Sequence, residues 1–196
     1  FSFFLYKPIP VTQLVRAASM NVDLDQEGLI NFGWRGWEGD FPTSFIRGCT
    51  NNPALDEKII AFYNEAITTS VRRLQPLTSY YHRDPRPDKF SGTALTGVQA
   101  YMGYAIPALT GSVVFIDLSR KESQPQARGA LAYSSIRQDG KQSDFSVIQT
   151  EYDYGSQAAY YVSLGSNLDQ TRLYLGVYGS MKVTDLNQGT VFEIVP

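Results

Sequence analysis

The segment SVVFIDL, residues 112–118, places apolar side chains on both faces of a predicted strand. Val113 and Phe115 would point to one face, and Val114 and Ile116 to the other, because side chains alternate along a strand. A strand of this kind suits the middle of a sheet that is covered on both sides. The rest of the chain must therefore supply a layer of cover.

That cover is predicted to be a long helix from Asn52 to Gln75. Asn52 is a good N-cap, Pro53 suits the first helical position, and Pro76 ends the pattern. Apolar residues recur at helical spacing along one face, at Ile59, Ile60, Tyr63, Ala66, Ile67, Val71 and Leu74. At 1.5 Å per residue, such a helix would be about 35 Å long, enough to cross a small domain.

The second half of the chain predicts a series of strands joined by short turns. Their predicted ranges are 98–105, 112–118, 127–137, 143–151, 159–164, 172–183 and 190–195. Short connections favour an antiparallel meander. The expected fold class is α+β, in which the long helix packs across a five- or six-stranded, mostly antiparallel sheet to give two layers.

The dipeptide Asp-Gly at 139–140 is a strong signal for a two-residue β-hairpin turn, because both central residues of a type I′ turn need positive φ. A two-residue turn fixes the register of the two strands that it joins. Ala132 is then predicted to face Val147, and Leu131 to face Ile148.

Two domains are expected: an N-terminal extension over residues 1–51, which is aromatic and Gly-rich, and the α+β domain over residues 52–196. The apolar segment FSFFLY at the start has two interpretations. It is either a buried first strand or the end of a removed signal or membrane anchor that precedes Phe1. Trp34 and Trp37 alternate with glycines, and they either cap the core or form an aromatic patch for a partner.

The composition excludes several kinds of chemistry. One cysteine and one histidine exclude a disulfide framework, a cysteine-based zinc site and a site with two histidine ligands. A net charge of −2 gives no electrostatic case for general nucleic-acid binding. Neither a phosphate-binding glycine loop nor a serine nucleophile elbow occurs. No cofactor and no metal are predicted.

Two candidate reactive groups remain. Cys49 precedes the predicted helix N-terminus, where the helix dipole would lower the pKa of its thiol, and His82 could then serve as its base. The alternative is a thiol with no chemical role. Asp117 lies in an apolar strand, which makes it a candidate catalytic acid. The favoured interpretation is that it ends the strand and caps the following loop.

The basic residues around the predicted end of the helix form the densest cationic segment of the sequence. Asp84 and Asp88 are interleaved with them, so the segment is interpreted either as a solvated linker with local ion pairs or as a contact for an anion or an acidic partner. Together with the two tryptophans, these residues make up the predicted partner-binding surface: Trp34, Trp37, Arg72, Arg73, Arg83, Arg86 and Lys89.

The order of elements in residues 52–152 resembles a known family. The predicted helix is followed by TGVQAYMGYA, GSVVFIDLSRK, QARGALAYSSIRQDGK and SDFSVIQTEYD. This pattern is loosely similar to the Tim21/Coa1-type domain, a membrane-anchored α+β module of mitochondrial translocase and cytochrome-oxidase assembly factors. The resemblance implies a mitochondrial assembly factor, a further alternative for the function.

The function expected from the sequence is a non-enzymatic protein-interaction module or structural accessory subunit of a larger assembly, membrane-associated if an anchor precedes Phe1. The alternative is a small-ligand-binding or enzymatic α+β domain with a pocket between helix and sheet. A deep pocket lined by Asp117 and tyrosines would favour the alternative. A flat sheet with exposed aromatic residues and an uncovered edge would favour the interaction module.

Overall fold

A computed structural model describes residues 5–6, 30–31, 37–38, 41–42, 72–73, 76–82, 85–120, 123, 125–135, 143–182 and 184–196. For the five residue pairs before residue 76, only the backbone is described. The chain divides into two compact units, residues 4–79 and residues 80–196, the latter together with residues 1–3.

The described part of the first unit consists of short strands. They are β1 (Leu5–Tyr6), β2 (Ile30–Asn31), β3 (Trp37–Glu38), β4 (Phe41–Pro42), β5 (Arg72–Arg73) and β6 (Pro76–Thr78). β1 pairs with β6 and β3 with β4, both antiparallel, while β2 and β5 run parallel.

The predicted α+β fold class is wrong, because the described residues are nearly all β and contain no helix of seven or more residues. Most of the predicted helix, residues 52–71 and 74–75, lies outside the described residues. Arg72 and Arg73, which were predicted in its last turn, form β5 instead. They follow Thr-Thr-Ser-Val, which favours helix only weakly. In β5, their backbone N–H and C=O groups have hydrogen-bond partners in β2.

The second unit contains seven strands and one turn of 3₁₀ helix, Pro107–Leu109. The strands are β7 (Leu95–Tyr101), β8 (Ser112–Asp117), β9 (Ala130–Ser135), β10 (Phe145–Ile148), β11 (Tyr160–Ser166), β12 (Leu173–Tyr178) and β13 (Gly189–Ile194).

Strands β7 to β10 form an antiparallel meander in the order β10-β9-β8-β7. Every residue of β8 is buried, which confirms the prediction of a strand that is covered on both faces. Ala132 faces Val147 and Leu131 faces Ile148, so the predicted register of the β9–β10 hairpin is also confirmed. The turn itself lies outside the described residues.

Strands β11 to β13 form a second antiparallel meander, in the order β11-β12-β13. The prediction of a single sheet with five or six strands is therefore wrong. The chain from Gln149 to Ala159 contains no strand, and this interruption separates the last strand of one sheet from the first strand of the other. The meander topology itself was predicted correctly for each sheet.

The second sheet covers one face of the first. Val114 and Ile116 of β8 belong to one buried apolar cluster with Leu131 of β9 and with Leu173 and Leu175 of β12. Burying an aliphatic side chain of this size stabilises the fold by about 1.5–3 kcal/mol. This sheet supplies the cover that was assigned to a helix.

Aromatic side chains cover the opposite face of β8. The rings of Tyr80 and Phe90 lie 4.9 Å apart, and each packs against Phe145 of β10, at 5.8 Å and 5.4 Å between centroids. Phe115 of β8 contacts the same ring at 5.6 Å. The loop that leads into β7 therefore closes this side of the sheet.

The two sheets meet where β11 begins. The Gly129 amide donates to the Ala159 carbonyl at 2.7 Å, and the Tyr161 amide donates to the Leu118 carbonyl at 3.1 Å. The Thr96 hydroxyl donates to the Tyr161 carbonyl at 2.6 Å. The Tyr161 ring lies directly over Gly129, in the space that a Cβ atom would occupy.

Replacing Gly129 with alanine should destabilise the protein, because the added methyl group would overlap the buried Tyr161 ring. We expect the free energy of unfolding to fall by about 1–3 kcal/mol, the usual cost of overpacking a core. Gly165→Ala is the matched control, because a Cβ atom there meets no other atom within 4 Å. Urea unfolding of the two variants tests this. Equal stabilities would contradict the packing described at the sheet junction.

Candidate functional site

Asp117 is the last residue of β8, and its side chain is fully buried, with 0 % of its surface exposed. The Tyr80 hydroxyl donates to its Oδ2 atom at 2.8 Å. The backbone amides of Thr93 and Ser119 donate to its Oδ1 atom at 2.9 Å and 3.0 Å. Asp117 thus caps the loop after β8, as the sequence indicated, and it also holds the loop that precedes β7.

The electrostatics of this group are set mainly by burial. Burial raises the pKa of Asp117, and the hydrogen bonds from Thr93, Tyr80 and Ser119 offset only part of that effect. Burial also raises the pKa of Tyr80, and the neighbouring Asp117 charge raises it further. Both carboxylate oxygens already accept hydrogen bonds, so the role of Asp117 in this structure is to tie loops to the sheet.

Arg86 and Lys89 are the two predicted surface residues whose side chains the structure describes. Arg86 Nη2 lies 2.8 Å from Asp144 Oδ1, and Lys89 Nζ lies 3.3 Å from Asp144 Oδ2. Lys89 also donates to the Phe145 carbonyl and lies 4.9 Å from the centre of the Phe145 ring. The two cations therefore hold the start of β10, and the exposed Arg86 pair contributes only about 0–1 kcal/mol.

Lys89 and Arg86 affect the pKa of Asp144. Although partial desolvation raises the pKa of Asp144, the Phe145 amide, Lys89 and Arg86 together hold it below its usual value. The sign of this shift is opposite to that of Asp117.

The other predicted surface residues are placed only in part. Trp34 and Arg83 lie outside the described residues. Trp37, Arg72 and Arg73 belong to strands of the first unit of which only the backbone is described. The proposed binding role of these residues stays a prediction.

The suggested pair of Cys49 and His82 also stays a prediction, because Cys49 lies outside the described residues. His82 is described, and its Nδ1 atom lies 2.9 Å from the Gly92 carbonyl oxygen.

A cleft of about 380 Å³ lies beside the Arg86–Lys89 turn. Its lining includes Asp88, Lys89, Arg120, Ser146, Val147 and Gln149, and we call it the Arg120 cleft. Asp117 does not line it. Sequence reasoning missed the cleft because its polar groups come from three separate segments, and no local motif connects them.

The three-stranded sheet exposes its outer face. Tyr174 and Tyr178 of β12 lie opposite Glu193 and Gly189 of β13 on this face and are half-buried. Val191 of β13 is 72 % exposed. The sequence did not indicate this exposed face, because its exposure depends on how the sheets pack against each other.

A second group of exposed apolar residues lies at the end of β7. The Met102 amide donates to the side chain of Gln170, which brings the loop after β7 to the loop between β11 and β12. Met102, Tyr104 and Leu168 are all exposed. Apolar exposure is therefore not confined to the edge of one sheet.

Among the residues that the structure describes, no group of three or more histidine, cysteine, aspartate or glutamate side chains could hold a metal ion. These same residues include no helix that is long and apolar enough to cross a membrane.

The opposite pKa shifts of Asp117 and Asp144 predict opposite pH dependences. Because its folded-state pKa is raised, Asp117 stabilises the fold most at low pH, and this stability is lost as pH rises from about 4 through the raised pKa. The advantage in unfolding free energy of the wild type over Asp117→Asn should therefore shrink as pH rises.

Asp144→Asn is the control, because the lowered pKa of Asp144 gives stability that is present above about pH 4 and lost as pH falls through the folded-state value. Urea unfolding between pH 3 and pH 8, read at roughly one-unit steps, measures both. An advantage over Asp117→Asn that grows with pH would contradict a raised pKa for the buried carboxyl.

Comparison with known proteins gives no family for this fold and site: no family model matches the chain, and neither a curated protein nor a solved structure matches it.

Proposed function

We propose that this chain is a non-enzymatic protein-interaction module, an accessory or structural subunit of a larger assembly, and that a strand of its protein partner adds to the open edge of β13. The observation that carries the proposal is that β13 is an exposed strand at the end of its sheet. Among the described strands, β13 pairs with β12 alone.

The backbone of β13 has hydrogen-bonding groups that point away from β12. The Gly179 amide donates to the Gln188 carbonyl at 2.9 Å, just beyond the end of the ladder. Hydrogen-bonded and non-hydrogen-bonded pairs alternate in an antiparallel ladder, and the register of β12 with β13 is unbroken. Gly189, Val191 and Glu193 therefore direct their N–H and C=O groups outward, where another strand could pair with them.

The sequence of β13 lacks the usual protection of an edge strand. Natural proteins block open edges with lysine, proline or a β-bulge. GTVFEI contains neither lysine nor proline, and Glu193 is its only charged residue. Glu193 Oε1 lies 3.7 Å from Nε of Arg172, the residue that precedes β12. These properties suit a surface that pairs with another chain.

The outer face beside this edge supplies side-chain contacts for such a strand. Tyr174, Tyr178 and Val191 offer aromatic and aliphatic surface next to the free backbone groups. Tyrosine is enriched in protein interfaces because it buries a large ring while its hydroxyl stays hydrogen-bonded.

The alternative ligand-binding function required a pocket lined by Asp117 and tyrosines. The Arg120 cleft contains neither Asp117 nor a tyrosine, and the oxygens of Asp117 are engaged by three neighbouring residues. These observations support the interaction module over an enzyme centred on Asp117.

Hydrogen exchange tests the open edge directly. In the isolated chain, we expect the amides of Val191 and Glu193 to exchange rapidly, whereas those of Thr190 and Phe192 are protected by β12. Binding of a partner strand should then protect Val191 and Glu193. Protection of all four amides in the monomeric chain would show that the edge is already covered.

A pair of charge variants tests the partner. Val191→Lys places a cation on the outer face beside the edge, where it blocks strand addition without disturbing the core. We expect a protein that co-purifies with the wild type from the native source to be lost from this variant, and retained by Leu168→Lys, which alters an exposed apolar residue in another loop. Quantitative mass spectrometry of the three purifications measures this. Equal recovery with both variants would rule out β13 as the docking edge.

A further inference from the structure

The Nε–H group of Arg120 is buried and has no hydrogen-bond partner among the residues that the structure describes. A buried donor without a partner costs about 1–3 kcal/mol, and more when it belongs to a charged group. Most buried polar groups in native proteins are hydrogen-bonded, so an exception calls for a water molecule, a ligand or an ion that completes the site. Arg120 is also one of the residues that line the Arg120 cleft.

The groups around Arg120 favour a negative charge. Among the described residues here, Arg86, Lys89 and Arg120 are cationic and Asp88 and Asp144 are anionic, which leaves one positive charge. Asp144 pairs with Arg86 and Lys89. One excess positive charge suits a ligand with a single negative charge better than a ligand with two.

The neutral groups of the cleft are suited to an oxygen ligand. The hydroxyl of Ser146 and the side-chain amide of Gln149, both exposed, line the cleft and can donate hydrogen bonds. Lys89 is held in place, with only 15 % of its side chain exposed. A turn closed by the hydrogen bond from the Lys89 amide to the Arg86 carbonyl, with Asp88 at a φ of 60°, positions it.

We propose that the Arg120 cleft binds a carboxylate. The Nε and Nη atoms on one edge of a guanidinium group form a fork that matches the two oxygens of a carboxylate. The carboxylate would accept a hydrogen bond from the otherwise unpartnered Nε–H and bring the single negative charge that the cleft lacks. A volume of about 380 Å³ accommodates a small molecule or one amino-acid side chain.

The carboxylate has two sources, a free small acid or a glutamate side chain of a peptide. The test uses the full chain labelled with ¹⁵N, titrated in parallel with sodium acetate and with a short blocked peptide that carries one glutamate. Sodium chloride at the same ionic strength is the reference. We expect saturable shifts of the amide signals of Lys89, Ser146 and Gln149 with at least one of the two ligands, and none with chloride.

Variants assign the binding to Arg120. Arg120→Gln should weaken binding at least about tenfold, because a hydrogen bond between charged groups is lost. Arg120→Lys keeps the charge but removes the fork, so it should weaken binding too, and it serves if the glutamine variant does not fold. Lys182→Gln removes an exposed cation elsewhere and should leave binding unchanged.

The outcomes distinguish the two sources of the carboxylate, and they also test the proposal itself. Tighter binding of the peptide than of acetate indicates an acidic protein segment, and the reverse order indicates a free acid. Absence of saturable shifts with both ligands, or equal affinities of the wild type and both Arg120 variants, would overturn the proposal. Neither result depends on the edge of β13, so the cleft and the proposed interaction module can fail independently.

Discussion

The structure of the second unit depends on the double cover of β8. Every side chain of this strand is buried, so the sheet that contains it needs a layer on each face. The three-stranded sheet supplies one layer, and the Tyr80 and Phe90 rings contribute to the other. Asp117 ends the strand and fixes both adjoining loops by hydrogen bonds. The two covering layers and the two adjoining loops are thus organised around the six consecutive residues of β8.

The parts of the fold that local chemistry determines could be predicted from the sequence. The register of β9 with β10 follows from the turn dipeptide and the alternation of side chains, and the burial of β8 follows from its apolar pattern on both faces. The helix over residues 52–75 was predicted from caps and spacing, which are equally local. At Arg72 and Arg73, pairing with a strand that is distant in the sequence decides the structure, and no local pattern reports that pairing.

The candidate sites show the same division. The role of Asp117 as a cap was predictable because Ser119 is two residues away, whereas its partners Tyr80 and Thr93 were not. The Arg120 cleft and the ion pairs of Asp144 join separate segments of the chain, so the sequence did not indicate them. Nor could sequence show which strand would end the second sheet, because that depends on where the meander stops.

The junction at β11 bears on the contact order of the second unit. Each sheet pairs strands that are consecutive in sequence, so most of its hydrogen-bonded contacts are local along the chain. The bond between Thr96 and Tyr161, in contrast, joins residues 65 positions apart. The entropy of closing a loop rises with its length, so contacts between the two sheets carry a greater entropic cost than the hairpins within each sheet. Each meander can therefore form from strands that are close in sequence. The shared core, in contrast, requires contacts between residues that are separated in sequence by all the strands of the first sheet.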